Sequence, residues 1–281
     1  MGSTSLRSGF LVKAAKQLWL PVVLIVALFA LTAGSTNFYF PPFSQMLSAM
    51  GNGLAHGELL SDLWFSLKNI LAGMILATVV GVLLGLVIGE RPTLRAATAP
   101  LLDFARATPT IAFVPVIILT LGIHAAPKIF LIFLGCVWPI LLNTISGVES
   151  INPAVLETAR SYRIPWWLRL RRVVMFGALP QIFAGIRVAL SVAVVLMVVS
   201  EIYGSPIGLG NFILQSGSNF AVADTWGGTI LIGILGYVLS VVLLIFESAL
   251  LGWYHQRAPR RTAPRSRTTT NQTIQNEVTP A

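Results

Sequence analysis

Long apolar runs constrain this chain more than any other feature. Six of them, most near or above the ~20 residues that an α-helix needs to cross a bilayer, are separated by polar segments. Only 10% of the residues are charged, against about a quarter in a typical soluble domain. The pattern predicts an all-α, multi-pass membrane protein and argues against a soluble globular domain. The predicted spans are 18–34, 63–89, 99–121, 127–147, 178–202 and 226–253.

These runs divide the chain into three parts. Residues 1–17 are a short basic segment, 18–255 the predicted transmembrane domain, and 256–281 a basic tail rich in Pro, Thr and Arg. The tail has no periodic apolar face, so it is predicted to be disordered. No small-residue cleavage site follows the first apolar run, which favours a retained anchor over a cleaved signal peptide.

The basic residues predict the orientation. Fifteen of the nineteen Lys and Arg residues fall in segments that alternate spans place on one side of the membrane. Lys68 and Lys128 lie near span ends on the other side, while Arg106 and Arg187 lie inside spans, toward the basic side. The positive-inside rule therefore predicts that both termini are cytoplasmic. It also accounts for the net charge of +9 without invoking nucleic acid.

Several local patterns predict packing. Apolar residues recur with helical spacing in PPFSQMLSAM (41–50), which favours a short amphipathic helix at the outer surface over an irregular loop. Small residues four apart in the second span predict close packing on a helix of this subunit or another. Pro109 and Pro115 are expected to bend the third span. Cys136 is expected to be a small core residue. The small residues are Gly73, Ala77, Gly81, Gly85 and Gly89.

The sequence lacks the groupings that catalysis or metal binding requires. The histidines His56, His124 and His255 are scattered, so no catalytic residue and no metal site is assigned. No Gly-Lys dipeptide occurs, which excludes a phosphate-binding loop of the Walker type. The chain is therefore not predicted to be an enzyme, and any ATP hydrolysis must occur on another polypeptide.

Few charges lie within the spans. Asp103 and Arg106 are placed to pair three residues apart, Glu201 lies at the outer edge of span five, and Glu247 in the inner half of span six. None of these residues forms a relay at the bilayer midplane, which weighs against an ion-coupled transporter. That reading stays open as an alternative.

The polar segment AVLETARSYRIPWWLRLRR (154–172) is the least expected part of the chain. Asn152 is a suitable cap for a helix that begins at Pro153, and Pro165 prevents its continuation. Such a helix is too short to span, so it should lie along the cytoplasmic surface. Trp166 and Trp167 would anchor its exit at the headgroups.

This segment resembles the cytoplasmic loop of binding-protein-dependent ABC importer permeases, whose signature reads E-A-A-x3-G-x9-I-x-L-P. Glu157-Thr158-Ala159 matches the first triplet, and Leu179-Pro180 matches a second L-P. The flanking sequences, including SEIYGSPIGLGNFI (200–213), resemble the branch that handles nitrate, sulfonates, taurine or bicarbonate, and the similarity covers about 38–253. The family's glycine falls at Arg163 and its first L-P at Met175-Phe176. Ile164-Pro165 is therefore expected to make the turn after the helix.

The resemblance implies a type I importer permease with about six spans and a coupling helix between spans four and five, in the loop 150–177. It implies that this helix contacts an ABC ATPase, which would hold the ATP and Mg, since no cofactor is expected on this chain. The other implied partners are a second permease, identical or homologous, an external solute-binding protein and membrane lipid. The residues carried over as ATPase contacts are Glu157, Thr158, Ala159, Arg160 and Arg163.

The implied solute is small and anionic: a sulfonate, taurine, nitrate, bicarbonate or an aromatic carboxylate. Polar and kink-forming residues of spans three and four are candidates to line its pathway, although they could equally serve helix packing. An ion-coupled carrier or channel, a permease for a vitamin precursor, and a membrane scaffold or sensor remain the alternatives. The candidate lining residues are Thr108, Pro109, Thr110, Pro115 and Asn143.

Overall fold

The computed structural model describes residue 23 and residues 26–251, and every regular element in that part of the chain is helical. The helices are α1 (Phe43–Ala55), α2 (Glu58–Glu90), α3 (Pro92–Ala107), a 3₁₀ turn (Thr110–Phe113), α4 (Val114–Leu121), α5 (Ala125–Glu149), α6 (Pro153–Ser161), α7 (Trp166–Gly204), α8 (Leu209–Ser218) and α9 (Val222–Leu250). We call the end of the bundle that carries residues 150–165 the loop end, and the other the opposite end.

Within the described residues, four helices are long and apolar enough to cross a membrane, namely α2, α5, α7 and α9. They confirm the second, fourth, fifth and sixth predicted spans, and each is longer than predicted. The predicted first span lies largely outside the described residues, of which 26–32 are helical. The predictions for residues 1–17 and 256–281 lie wholly outside them.

The third predicted span is not one continuous helix. The chain bends by 76° between α3 and the segment Thr110–Leu121. Thr108 is extended, with ψ of 122°, because a residue before proline is disfavoured in the helical region. Pro109 is also extended, with ψ of 108°. The break therefore occurs at Pro109, as predicted. The prediction for Pro115 was wrong, because this proline lies in the first turn of α4, where its missing N–H costs nothing.

Small residues on α2 bring this helix against α5 of the same chain. A Cβ atom on Gly73 would lie 2.6 Å from Cγ2 of Ile132, and one on Gly85 would lie 2.6 Å from Cβ of Thr144. Near the loop end, a Cβ on Gly89 would lie 2.9 Å from Cβ of Val148. The predicted close packing is confirmed, and its partner is an intrachain helix.

The other side of α5 packs on α7 in a similar way. A Cβ on Gly135 would lie 2.2 Å from Cδ1 of Leu196, and one on Gly185 of α7 would lie 2.8 Å from Cβ of Asn143. Cys136 is fully buried between these helices, as predicted, and its thiol donates to the carbonyl oxygen of Ala189 at 3.2 Å. The helix α5 is thus the middle element of a layer formed with α2 and α7.

Two short helices cover the opposite end. The predicted helix after the proline pair is confirmed as α1, which packs on α9 at Gly227, where a Cβ would lie 3.1 Å from the backbone nitrogen of Met50. The segment that precedes α1 is held to α9 by Trp226, whose indole N–H donates to the carbonyl oxygen of Tyr39 at 3.1 Å. The helix α8 was not predicted.

Candidate functional site

The polar helix between α5 and α7 begins as its sequence predicts. The side chain of Asn152 accepts a hydrogen bond from the backbone N–H of Ala154 at 2.9 Å, and Pro153 is the first helical residue. The cap satisfies one N–H group that has no partner within the helix. The helix α6 is nine residues long, about half the length needed to span a bilayer.

The turn after α6 is made by Arg163 itself. Its φ is +50°, in the left-handed region that glycine normally occupies at this position of a helix end. The N–H of Ile164 donates to the carbonyl oxygen of Ala159 at 3.1 Å, and that of Arg163 donates to Arg160 at 2.8 Å. These two bonds form a Schellman motif. The expectation that Ile164-Pro165 would make this turn was therefore wrong, although Pro165 does follow it.

One face of α6 contacts the bundle and the other is exposed. Ala159 is only 4% exposed, and Leu156 packs against an apolar cluster that includes Leu86 of α2 and Val174 of α7. Four of the predicted contact residues are accessible at the surface. Ala159 is not, so its side chain is used in packing α6 onto the rest of the chain. The accessible four are Glu157, Thr158, Arg160 and Arg163.

A carboxylate on α2 holds the chain that leaves this loop. Glu90, the last residue of α2, accepts a hydrogen bond from Trp166 Nε1 at 2.9 Å through one oxygen. Its other oxygen accepts from Arg169, at 2.9 Å from Nη2 and 3.3 Å from Nε. The Glu90 and Arg169 side chains are only 14% and 17% exposed. Trp166 therefore has a protein partner, which its predicted role as a headgroup anchor did not include. We call these three residues the Glu90 tether.

The tether is followed by an irregularity in α7. Residues Leu170–Val174 form a π-helical turn, which separates the first turn of α7 (Trp166–Arg169) from the regular helix Met175–Gly204. Wide turns of this kind are uncommon and often occur at functional sites. The exit of the loop is thus attached to the bundle covalently through the π turn and non-covalently through Glu90, in addition to the packing of α6 through Leu156 and Ala159.

The predicted pathway residues do not form one cluster. Thr108 directly follows α3 and donates its hydroxyl to the carbonyl oxygen of Phe104 at 2.9 Å, and Pro109 is exposed at the bend. The amide nitrogen of Asn143 donates to Pro139 within α5 at 2.8 Å. Thr110, beside the bend, lies close to Gly135 of α5, and Pro115 is exposed on α4.

The two arginines inside the spans each have a carboxylate partner. The predicted pair of Arg106 with Asp103 is present at 3.0 Å, and Arg187 contacts Glu247. Neither guanidinium group is an isolated positive charge. Among the residues that the structure describes, no group of three or more His, Cys, Asp or Glu side chains is placed to hold a metal ion.

Sequence reasoning missed a buried polar cluster at the opposite end. Glu201 is fully buried, and its carboxyl group accepts from Ser66 Oγ at 2.8 and 2.9 Å and from the N–H of Gly210 at 3.0 Å. The N–H groups of Leu209 and Gly208 donate to Ser66 Oγ at 3.1 Å and to Asp62 Oδ1 at 2.7 Å. Side chains from α2 and α7 thus satisfy the first free N–H groups of α8.

Lys128 is buried beside this cluster. Its ammonium group donates to the carbonyl oxygens of Ile123, His124 and Gly204 at 3.0, 2.7 and 3.0 Å, so all three of its protons have acceptors. These bonds join the segment before α5 to the end of α7. The sequence alone predicts that a lysine near a span end is exposed, because only the tertiary structure brings the three carbonyl groups together.

The family of the chain is established by comparison with known proteins. Residues 69–252 match the family described as the inner membrane component of binding-protein-dependent transport systems. The chain belongs to this family. The permease is thus a multi-pass inner membrane subunit of an ABC importer, and the match favours this reading over an ion-coupled carrier.

Curated relatives agree with the family assignment. The permease is 29% identical to a putative aliphatic sulfonates transport permease of Bacillus subtilis, over 70% of this chain and 71% of the relative. It is 28% identical to the taurine transport permease of Escherichia coli, over 77% and 80% of the two chains. It is 34% identical to a bicarbonate transport permease of Synechococcus elongatus, over 62% of this chain and 63% of the relative.

Solved structures share the fold. A chain of the MetNI methionine ABC transporter, in an inward-facing conformation, matches with a TM-score of 0.58 and 19% identity. The match covers 68% of the permease and 95% of the other chain. The fold is therefore that of type I ABC importer permeases, as the loop signature predicted.

Proposed function

We propose that the permease forms half of the pathway of an ATP-driven importer and that a separate ATPase subunit drives it through α6. In this proposal the loop end faces the cytoplasm, as the basic residues predict. The ATPase holds the ATP and Mg, a second permease completes the pathway, and a solute-binding protein delivers the solute at the opposite end. ATP binding closes the ATPase pair, displaces α6 and rocks the helices between inward- and outward-facing states.

The observation that carries this proposal is the two-sided character of α6. Its inner face is fixed to the bundle through Leu156 and Ala159, while Glu157, Thr158 and Arg160 project away from it. A helix that only connected two spans would not need charged residues on an ordered, capped surface. Such a helix fits the role of a rigid contact that transmits a push from outside the membrane.

Charge reversal on α6 tests the proposal. The variant Glu157→Arg should lower the amount of ATPase that co-purifies with the permease by about tenfold or more, since an unpaired charge in an interface costs at least about 1.4 kcal/mol. The matched control is Asp103→Arg, which reverses an exposed carboxylate on α3 outside α6. Unchanged co-purification in the Glu157 variant, with membrane insertion intact in both, would contradict the proposal.

We further propose a small anionic solute, because the curated relatives are named for sulfonates, taurine and bicarbonate. The arginines of the spans do not support this choice, since Arg106 and Arg187 are already paired. The solute is best identified on the cognate binding protein, whose Tm should rise with its true ligand. Taurine, alkanesulfonates, nitrate, bicarbonate, aromatic carboxylates, pyrimidine precursors and riboflavin form the test set.

The break between α3 and the 3₁₀ turn is our proposed wall of the pathway. Thr108, Pro109 and Thr110 lie where the helix is interrupted, and irregular backbone at membrane depth is tolerated only against protein or a water-filled cavity. Pro115 and Asn143 remain proposals of the same kind. Cysteine substitution at each position, followed by labelling with a water-soluble thiol reagent, tests all five, since a lining position should react and a packed one should not.

A further inference from the structure

We infer that Glu90 is a positioning residue that makes α2 follow the movement of the loop, an inference that rests on the proposed function. The evidence is the placement of the Glu90 tether relative to the π turn. Trp166 and Arg169 lie on the loop side of that turn, whereas Glu90 lies on α2. The tether therefore connects the loop to a different helix from the one that continues the chain.

Without the tether, the π turn is the first place within α7 where a displacement of the loop can be absorbed. A π-helical turn leaves the regular hydrogen-bond pattern of α7, so the four residues before it can change angle relative to the helix after it. Glu90 prevents this change of angle by binding both ends of the four-residue segment before the π turn, Trp166 at its first residue and Arg169 at its last.

The tether is built to resist load. Both hydrogen bonds with Arg169 involve charged partners, and such bonds are about twice as strong as neutral ones. The Glu90 and Arg169 side chains are largely shielded from water, which weakens the screening of their charges. A bond of this kind favours the attached position of the loop exit over a detached one by about tenfold or more.

The helix that receives the displacement is not free to move alone. Gly73, Gly85 and Gly89 place α2 in direct contact with α5 along most of its length. A load applied at Glu90 is therefore passed to α2 and α5 together, and α5 borders the proposed pathway at Thr110 and Gly135. Glu90 thus gives the exit of the loop a polar connection to α2, besides the apolar packing of Leu156 near Leu86 and the covalent connections through α5 and α7.

Hydrogen–deuterium exchange of the assembled complex tests this without knowledge of the solute. Exchange is measured in peptides covering 153–163 and 82–90, in the absence of nucleotide and after trapping with ATP and vanadate. In the unaltered complex both peptides should respond to trapping. In Glu90→Gln, which keeps the side-chain size and removes the charge, and in Glu90→Ala, the response of 82–90 should fall severalfold, while that of 153–163 persists.

The matched control is Glu149→Gln. Glu149 pairs with Arg95 between α5 and α3 at the same end of the bundle, but this pair does not involve the loop and is 37–42% exposed. Its removal should leave both responses unchanged. If Glu90 only stabilised the fold, its variants would have a lower Tm yet keep the response at 82–90.

Three results would decide the matter. A response at 82–90 that is lost in both Glu90 variants and kept in Glu149→Gln supports the inference. A response at 82–90 that equals that of the unaltered complex in both Glu90 variants overturns it and leaves the proposed function intact. Absence of any nucleotide-linked response at 153–163 in the unaltered complex overturns the proposed function, and the inference with it. Trp166→Phe, which removes the indole N–H together with the pyrrole ring but keeps an aromatic side chain and the Arg169 pair, serves as a milder variant if the substitutions at Glu90 prevent folding.

Discussion

Truncation of Glu201 should destabilise the permease more than any change to an exposed charge. The variant Glu201→Ala removes the acceptor for the Ser66 hydroxyl and for the N–H of Gly210, both of which are buried. Each buried donor left without a partner costs about 1–3 kcal/mol. Two such donors give an expected loss of about 2–6 kcal/mol, before any cost of the cavity that the side chain leaves.

Glu201→Gln separates the hydrogen bonds from the volume of the side chain. Its amide oxygen can take the place of Oε2, which accepts from both the N–H of Gly210 at 3.0 Å and Ser66 Oγ at 2.9 Å, so both buried donors keep a partner. Only the second contact of Ser66 Oγ, with Oε1 at 2.8 Å, is lost to the NH₂ group, so the expected cost is that of one hydrogen bond with no donor left unpaired, about 0.5–1.5 kcal/mol. The free energy of unfolding should therefore be lowest for Glu201→Ala, intermediate for Glu201→Gln and highest for the unaltered protein.

Thermal unfolding of the purified permease in detergent measures this ranking. For a chain of this size about 1 kcal/mol corresponds to roughly 2–4 °C in Tm, so Glu201→Ala should lower Tm by about 10 °C. Asp103→Asn is the control, since its pair is 62–64% exposed and should contribute less than about 1 kcal/mol. Equal Tm values for Glu201→Ala and Asp103→Asn would refute the argument that the buried cluster holds α8 in place.

Two further substitutions test the helix contacts and the loop. Gly85→Val should lower Tm by several degrees, because its Cβ would lie 2.6 Å from Thr144 and overpacking costs about 1–3 kcal/mol. The control Gly233→Val, with nothing within 4 Å of its Cβ, should have little effect on Tm. Similar Tm values for the two variants would contradict this. Arg163→Gly should raise Tm by about 2–4 °C, because a left-handed conformation costs a non-glycine residue about 1 kcal/mol. A fall in Tm of the isolated permease would show that Arg163 is not strained.

The local elements of this fold could be predicted from the sequence because their signals are local. Hydropathy located α2, α5, α7 and α9, since a membrane span is recognised by length and apolar character alone. The cap at Asn152 and the stop at Pro165 depend on a few neighbouring residues and were found in the same way. The break at Pro109 was expected for the same reason.

The contacts between distant residues could not be predicted. Glu201 and Ser66 are 135 positions apart, and Glu90 and Trp166 are 76 apart, so no periodicity connects them. The helix α8 was missed because its N-terminus is satisfied by side chains from α2 and α7 rather than by a cap in its own sequence. The left-handed Arg163 was missed because the residue type argues against that conformation, and only the bonds of the turn reveal it.

The matching of α2 with α5 has a consequence for how the permease can change shape. The contacting residues advance by equal steps along the two parallel helices, from Gly73 against Ile132 to Gly89 against Val148. Sliding one helix along the other would drive branched side chains into backbone until the next small residue came opposite, about 6 Å further along the axis. Only discrete positions are therefore permitted for this pair, and gradual movement during a transport cycle must be concentrated where the helices are already interrupted, at Pro109 and at the wide turn Leu170–Val174.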